Sequence, residues 1–235
     1  MIKVIIGIQA RSNSTRLSGK AYKIVGESSI IHRVIYHCVR AAGWLQKDNP
    51  NVHVKAVLLI PEGDPLKSHV EHKIEVFEGS EDDVLARYSQ AANHFDADYM
   101  VRITGDCAWL HSKTVSKCVR EALHKEADYT SNILVRTFIE GQDTEVLSRR
   151  CLHWLDRKMI TPQHREHVTL GLLEELEQRR HLPLDYKIHT LLNDYDLSDI
   201  KTSVDTQEEY ESACALFEKM TEKKRYASER GTVNN

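Results

Sequence analysis

The apolar run Val4-Ile5-Ile6-Gly7-Ile8 passes directly into Gln9-Ala10-Arg11-Ser12-Asn13-Ser14-Thr15-Arg16-Leu17-Ser18-Gly19-Lys20, and this junction limits what the chain can become. The run does not alternate with polar residues, as expected of a strand buried on both faces of a parallel sheet. The stretch after it is rich in Arg, Ser, Asn and Gly, with Arg11, Arg16 and Lys20 set among small and hydroxyl residues. Such a loop can bend tightly, offer backbone N–H groups to an anion and surround it with positive charge. Its place past the end of a first strand is where open α/β sheets bind ligands. A triphosphate suits that charge pattern; a solvated surface loop is the alternative. A Walker A loop is excluded, because Gly19-Lys20 lacks the upstream Gly and Ala21 stands where Ser or Thr is required. No dinucleotide Gly-x-Gly-x-x-Gly occurs either.

The pattern Gln-Ala-Arg-x-x-Ser-x-Arg-Leu-x-Gly-Lys resembles the signature loop of the spore-coat polysaccharide cytidylyltransferases, relatives of the enzymes that make CMP-activated sialic and 3-deoxy-octulosonic acids. Ser18 replaces the Pro usual there. The resemblance implies an α/β fold with a mostly parallel, Rossmann-like sheet of the nucleotide-diphospho-sugar transferase type. It also implies that Gln9, Ala10, Arg11, Ser12, Ser14, Arg16 and Lys20 bind a nucleotide, with Arg11 and Lys20 catalytic.

Composition agrees with a soluble globular class: 235 residues, 41% hydrophobic and 29% charged. The net charge of −3 argues against general nucleic-acid affinity, so phosphate binding must be local. No apolar run approaches a membrane span, and Met1-Ile2-Lys3 leads straight into the first strand, so no signal peptide and a cytoplasmic location are expected. Five widely spaced cysteines with no Cys-x-x-Cys pair make structural zinc and a disulfide framework unexpected.

Along the chain, Ile30 to Ala42 has helical spacing that ends near Gly43, and Val52 to Ile60 reads as the next strand. Ser80 and Asp83 form a capping box for a helix that buries Val84, Leu85, Tyr88, Ala91, Ala92 and Phe95. Gly-Ser-Glu-Asp-Asp-Val-Leu-Ala-Arg-Tyr nearly repeats a family stretch. The implication is a segment beside the nucleotide base that includes Ser80 and Asp82.

The strand Tyr99–Ile103 runs into Thr104-Gly105-Asp106. A carboxylate there is placed to hold a divalent cation, or to serve as a turn aspartate. Arg102-Ile103-Thr104-Gly105-Asp106-Cys107 matches the family motif, which implies nucleotide contacts from Arg102 and Gly105 and Asp106 as a catalytic metal ligand. Where the family continues with Pro, an apolar residue and Asp, this chain has Ala108-Trp109-Leu110-His111, and Trp109 is expected to reshape the pocket floor.

Residues 128–180 are expected as a smaller excursion over the acceptor site. Gly141 permits a turn, and Arg136, Gln142, Asp143 and Glu145 are polar enough to read sugar hydroxyls or to form a surface hairpin. Gly-x-Asp-x-Glu-Val resembles the family's acceptor and dimer-contact part. Thr161 and Pro162 open a helix running through Leu170, Leu173 and Leu176. His164 and His167 are too closely spaced for the hydrolase zinc pattern. Arg165-Glu166-His167 matches the family's Arg-Glu-His, implying Arg165 or His167 opposite an acidic acceptor.

Leu184 to Leu192 reads as a strand. Thr206 and Glu209 form a capping box for a last helix burying Tyr210, Ala213, Phe217 and Met220. Asp205, just before that cap, matches the family's closing aspartate, the implied second catalytic metal ligand. A single nucleotidyltransferase domain over residues 1–222 is expected, with a disordered tail from 223 to 235.

The reading is therefore a Mg²⁺-dependent cytidylyltransferase that joins CMP from CTP to an acidic sugar, acting as a homodimer without nucleic-acid or membrane partners. A glycosyltransferase using a nucleotide sugar and a non-catalytic nucleotide-binding homologue are the alternatives.

Overall fold

Strand β1 (Ile2–Gln9) has a parallel neighbour on each side. Val4, Ile6 and Ile8 enter one apolar cluster and Ile5 the other, which explains the unbroken hydrophobic run. The structure is a computed structural model that describes residues 1–178, 183 and 185–231, with side chains through 222.

After β1 and its loop come a single 3₁₀ turn (Lys20–Tyr22), an antiparallel ribbon of β2 (Ile24–Val25) and β3 (Ser28–Ser29), and α1 (Ile30–Asp48). Helix α1 continues past Gly43. That glycine faces solvent, and Leu45, 3% exposed, extends the buried stripe of Ala41 and Ala42. The chain returns as β4 (Val52–Pro61), then α2 (Leu66–Val70), β5 (Glu75–Gly79), α3 (Val84–His94), β6 (Tyr99–Thr104) and α4 (Ser112–Lys125). It finishes with β7 (Tyr129–Ser131), β8 (Glu145–Ser148), α5 (Arg149–Lys158), α6 (Pro162–His167), α7 (Leu170–Glu177), β9 (Ile188–Thr190) and α8 (Gln207–Gly231).

The sheet order is β5-β4-β1-β6-β8-β7-β9. Among the described strands, only β8 runs against the rest. Helices α1 and α4 cover one face, and α3 and α5 cover the other. This is the α/β architecture expected, with residues 128–180 adding two strands to the main sheet. No helix among the described residues is long and apolar enough to cross a membrane.

The site position follows from the topology. From β1 the chain moves outward to β4, while β6 lies on the other side of β1, so the order reverses between β1 and β6. Ligands bind in the crevice at such a point. Gln9 and Thr104 pair at the ends of the two strands. The two loops that leave them touch at Gly105, whose N–H donates to the Gln9 carbonyl at 2.8 Å. A Cβ at Gly105 would lie 2.8 Å from that of Ala10, so only glycine permits the approach.

Several local expectations are corrected. The N-cap of α3 is Asp83, which accepts from Ala86 N–H, while Ser80 Oγ accepts from Asp83 N–H. The helix from Pro162 breaks at Val168, which is fully buried with φ +52°. Burying that side chain redirects the backbone, and α7 starts anew. Strand β9 covers only the end of the expected Leu184 to Leu192 span, and residue 184 lies outside the described residues. Met220 is 42% exposed, because α8 has passed the core that holds Ala213. The backbone is helical to Gly231, within the span expected as a tail; residues 232–235 lie outside the described residues.

Gly141 fixes the route of the last segment. Its φ is +100°, and a Cβ there would lie 2.6 Å from Ser203 N. Glu140 N–H donates to the Ile200 carbonyl at 2.9 Å, and Thr202 N–H donates back to the Glu140 carbonyl at 2.8 Å. Gly141→Ala is expected to cost about 2–3 kcal/mol in urea unfolding, from the strained φ and the clash. It should also lower turnover, since the displaced strand leads to Asp205.

Candidate active site

The loop after β1 is tethered by Leu17, 6% exposed, which packs with Val25, Ile30, Ala108, Val204 and Ala213. Ser12 N–H donates to Asp64 Oδ2 at 2.9 Å. Between these anchors Arg16 stays largely in solvent and Arg11 is about half exposed, 4.0 Å from Glu81, while Lys20 is only 18% exposed.

Lys20 Nζ lies 3.1 Å from Asp106 Oδ2 and 2.8 Å from Asp205 Oδ1. Arg16 reaches the same Asp205 oxygen at 3.0 Å. Two acids distant in sequence thus share one ammonium. Asp106 is presented by the end of β6 and Gly105. Asp205 is set by the expected capping box, in which Glu209 Oε2 accepts from the N–H groups of Asp205 and Thr206, and Thr206 Oγ1 accepts from Glu209 N–H. Val204 N–H donates to the Asp106 carbonyl at 3.1 Å and locks the two segments together.

The charges reinforce one another. Burial opposes the Lys20 ammonium, but Asp106 and Asp205 outweigh it and raise its pKa. Burial also opposes the Asp106 carboxylate, but Lys20 and the Thr104 hydroxyl hold its pKa below the ordinary value.

These residues border a cavity of about 860 Å³. Gln9, Ala10, Arg11, Ser14, Arg16 and Lys20 line it from the first loop, Asp82 from the start of α3, and Arg102, Gly105, Asp106 and Asp205 from the strand ends. His167 lines it from α6, beside Glu166. Ser12 and Ser80 do not reach the lining and serve their local turns.

The remaining acceptor candidates have other partners. Arg136 holds Asp143 through two bonds of 2.8 and 3.0 Å. Gln142 Oε1 accepts from Thr114 Oγ1. Glu145 is 1% exposed inside the sheet, bonded to Arg102 and to the Tyr129 hydroxyl. Arg102, pinned by Glu145, donates to Gln9 Oε1 at 3.1 Å and so positions a cavity residue. His164 pairs with Glu174, and no group of three His, Cys, Asp or Glu among the described residues could hold a metal.

Sequence reasoning missed Glu81 and Arg87, both in the lining. Arg87 had a signal, for it falls on the apolar face of α3 between Val84 and Ala91, where a charge is out of place.

The cytidylyltransferase family profile matches residues 4–231. The chain belongs to the cytidylyltransferase family. It is a nucleotidyltransferase. The spore coat polysaccharide biosynthesis protein SpsF of Bacillus subtilis is 29% identical over 227 residues, 95% of this chain and 90% of that protein. A cytidylyltransferase structure from Leptospira borgpetersenii is 30% identical and superposes with a TM-score of 0.75, covering 91% of this chain and 86% of that one. CMP:2-keto-3-deoxy-manno-octonic acid synthetase complexed with CTP shares the fold at 14% identity and a TM-score of 0.67, with 93% and 99% coverage.

This cytidylyltransferase carries Trp109 away from the cavity lining, correcting the expected pocket floor. Its ring packs near Phe217 of α8, with Arg33 over it at 5.5 Å. Leu110, where the resemblance places a second acid, is 1% exposed in the core. The Asp96-Ala97-Asp98 pair precedes β6, at the opposite end from the site. Asp96 pairs there with Lys3 and Arg149, and Asp98 accepts from Lys3 N–H. It cannot act as the metal motif of a glycosyltransferase at this cavity.

Arg165 ties α6 to its neighbours. Its guanidinium donates to both carboxylate oxygens of Asp83, to Asp156 Oδ1 and to the carbonyls of Asp156 and Met159. Arg165→Met is expected to lower stability by about 2 kcal/mol in denaturant unfolding, because several charge-assisted bonds are lost together.

Proposed function

We propose that this protein transfers the cytidylyl group of CTP to an oxygen of a small acidic acceptor, a sugar acid in the first instance, and releases pyrophosphate with the help of Mg²⁺. The observation that carries this reading is Lys20 held between Asp106 and Asp205 beside the Arg11–Arg16 loop. Two carboxylates near enough to share one ammonium are near enough to share a divalent ion. With no third protein ligand among the described residues, phosphate and water would complete its shell, which suits Mg²⁺. When bound, the ion would neutralise phosphate charge and lower the pKa of the attacking hydroxyl.

The chain's own residues supply the rest by positioning and charge. Arg11, Arg16 and Lys20 face the triphosphate and offset the charge that gathers on departing pyrophosphate. Once a triphosphate enters, Lys20 has a phosphate oxygen to donate to, and Asp106 and Asp205 are freed toward the metal. His167 on α6 lines the same cavity and is suited to an acidic acceptor. The choice of CTP is supported by family membership and by the CTP-bound fold relative.

A homodimer belongs to the proposal. Val135, Leu192, Tyr195 and Ile200 are exposed on two segments joined by the bonds of Asn193 and Leu197 N–H to Thr137, and they offer an apolar contact surface.

Pyrophosphate release from each nucleoside triphosphate, with Mg²⁺ and a panel of sugar acids, tests the reaction. Release with CTP and at least one acid supports it. Hydrolysis of a nucleotide sugar without pyrophosphate, or tight CTP binding with no turnover over the whole panel, would replace it with one of the alternatives.

A further inference from the structure

A second cavity, of about 580 Å³, opens along α1 and shares no lining residue with the Lys20 site. Its size is that of a small-ligand pocket. His32, Arg33 and His37 line it as part-buried side chains, and Tyr36, Arg40 and Lys73 as exposed ones. All but Tyr36 are basic, and no carboxylate stands among the described lining residues. Such a concentration is out of keeping with a chain of net charge −3.

The two arginines are fixed by groups that leave their charge intact. Arg33 Nε donates to the Ala108 carbonyl at 2.9 Å and Nη1 to the Val25 carbonyl at 3.3 Å. The same guanidinium lies 5.5 Å from the centroid of the Trp109 ring and 5.0 Å from that of Phe217. Arg40 Nη1 donates to Tyr36 Oη at 2.9 Å, and its guanidinium lies 4.8 Å from the Trp44 ring centroid. Carbonyls, a hydroxyl and ring faces hold a guanidinium in place without cancelling its charge. Arg102, Arg136, Arg150 and Arg165 are instead paired with carboxylates. Among the described residues, Arg33, Arg40 and Lys73 have no ion-pair partner.

The imidazoles feel the same field. Burial pushes the pKa of His37 down to about 4, and His111, Arg33 and Arg40 act in the same direction. His32 is also held below its ordinary value, by burial first and then by Lys73 and His69. Like charges gathered without a counter-ion repel one another and cost stability. An anion bound among them would remove that cost. Guanidinium forks match the paired oxygens of phosphate and carboxylate, and several cations call for several negative charges on one ligand. The recessed part of the charge, on Arg33 and the two imidazoles, suits a small ion that enters the cavity.

We propose that this cavity is a second binding site, for a small, multiply charged oxyanion, a polyphosphate or a polycarboxylate, held by Arg33, Arg40 and Lys73. It does not rest on the reading of the Lys20 site.

The test is titration with inorganic pyrophosphate and, separately, with citrate in metal-free buffer, followed by the imidazole NMR signals of His32 and His37. Those signals should move in a saturable way with at least one of the two anions, and the tighter of the two tells phosphate from carboxylate. Arg40→Gln combined with Lys73→Gln, both exposed, should weaken that binding by about tenfold or more. The same change of charge on α4, Lys117→Gln with Lys125→Gln, should leave it within about twofold.

His32 and His37 signals indifferent to both anions would overturn the proposal, even if the anions bind at the first loop. Equal weakening in both double variants would reduce the effect to general charge attraction and overturn it too. Binding of polyglutamate but of neither small anion would make this face a protein-docking surface instead.

Discussion

Asp106→Asn and Asp205→Asn are each expected to reduce pyrophosphate release by about a thousandfold or more, while both variants remain folded. Losing a group aimed at developing charge has effects of that order, near 4 kcal/mol in the barrier. The fold should survive because the backbone bonds persist: Val204 N–H still reaches the carbonyl of residue 106, and the capping box uses Thr206 and Glu209. The pH dependence of stability is a second readout for Asp106. Its folded pKa lies below the ordinary 3.8. The stability it contributes is therefore present above that value and lost as pH falls through the folded pKa. Wild type should be more stable than Asp106→Asn at neutral pH, and the difference should shrink in acid. Wild-type rates in either variant would remove that residue from the site.

Lys20→Met should have the other large effect. It removes the cation that both carboxylates share and leaves Arg16, two-thirds exposed, as the ion-pair partner of Asp205 among the described residues. Two acids without their ammonium repel, and one must take up a proton or find a metal. Stability should fall by about 2–3 kcal/mol in metal-free buffer. Millimolar Mg²⁺ should restore more of the melting temperature in Lys20→Met than it adds to wild type, because the ion then replaces the missing charge. Turnover should stay at least about a hundredfold down, because the triphosphate has lost a direct contact. A melting temperature indifferent to Mg²⁺ would remove the metal from the account, whatever the activity.

The contrast between legible and illegible parts has physical causes. β1 and the loop after it could be read because a strand buried on both faces shows as an unbroken apolar run, and a run of Arg, Ser, Asn and Gly marks where it ends. Asp106 and Asp205 could be placed at strand ends by local signals, Gly105 in one case and the Thr206–Glu209 box in the other. That they meet on one ammonium depends on the sheet order, which no local pattern contains. Glu145 looked like a sugar-binding acid, but it lies inside the sheet against Arg102. Arg165 looked free until α6 was packed on α3 and α5. The break at Val168 had no Gly or Pro to announce it, because burial of that side chain decided it.

The central claim is that Lys20, Asp106, Asp205 and the first loop form one receptor for a metal-bound cytidine triphosphate. A crystal structure grown with CTP and Mg²⁺ tests it most directly. The account predicts phosphate density against Arg11, Arg16 and Lys20, and an ion between the phosphates and the carboxylates of Asp106 and Asp205. Both carboxylates still closed on Lys20, with CTP bound elsewhere on the molecule, would contradict it.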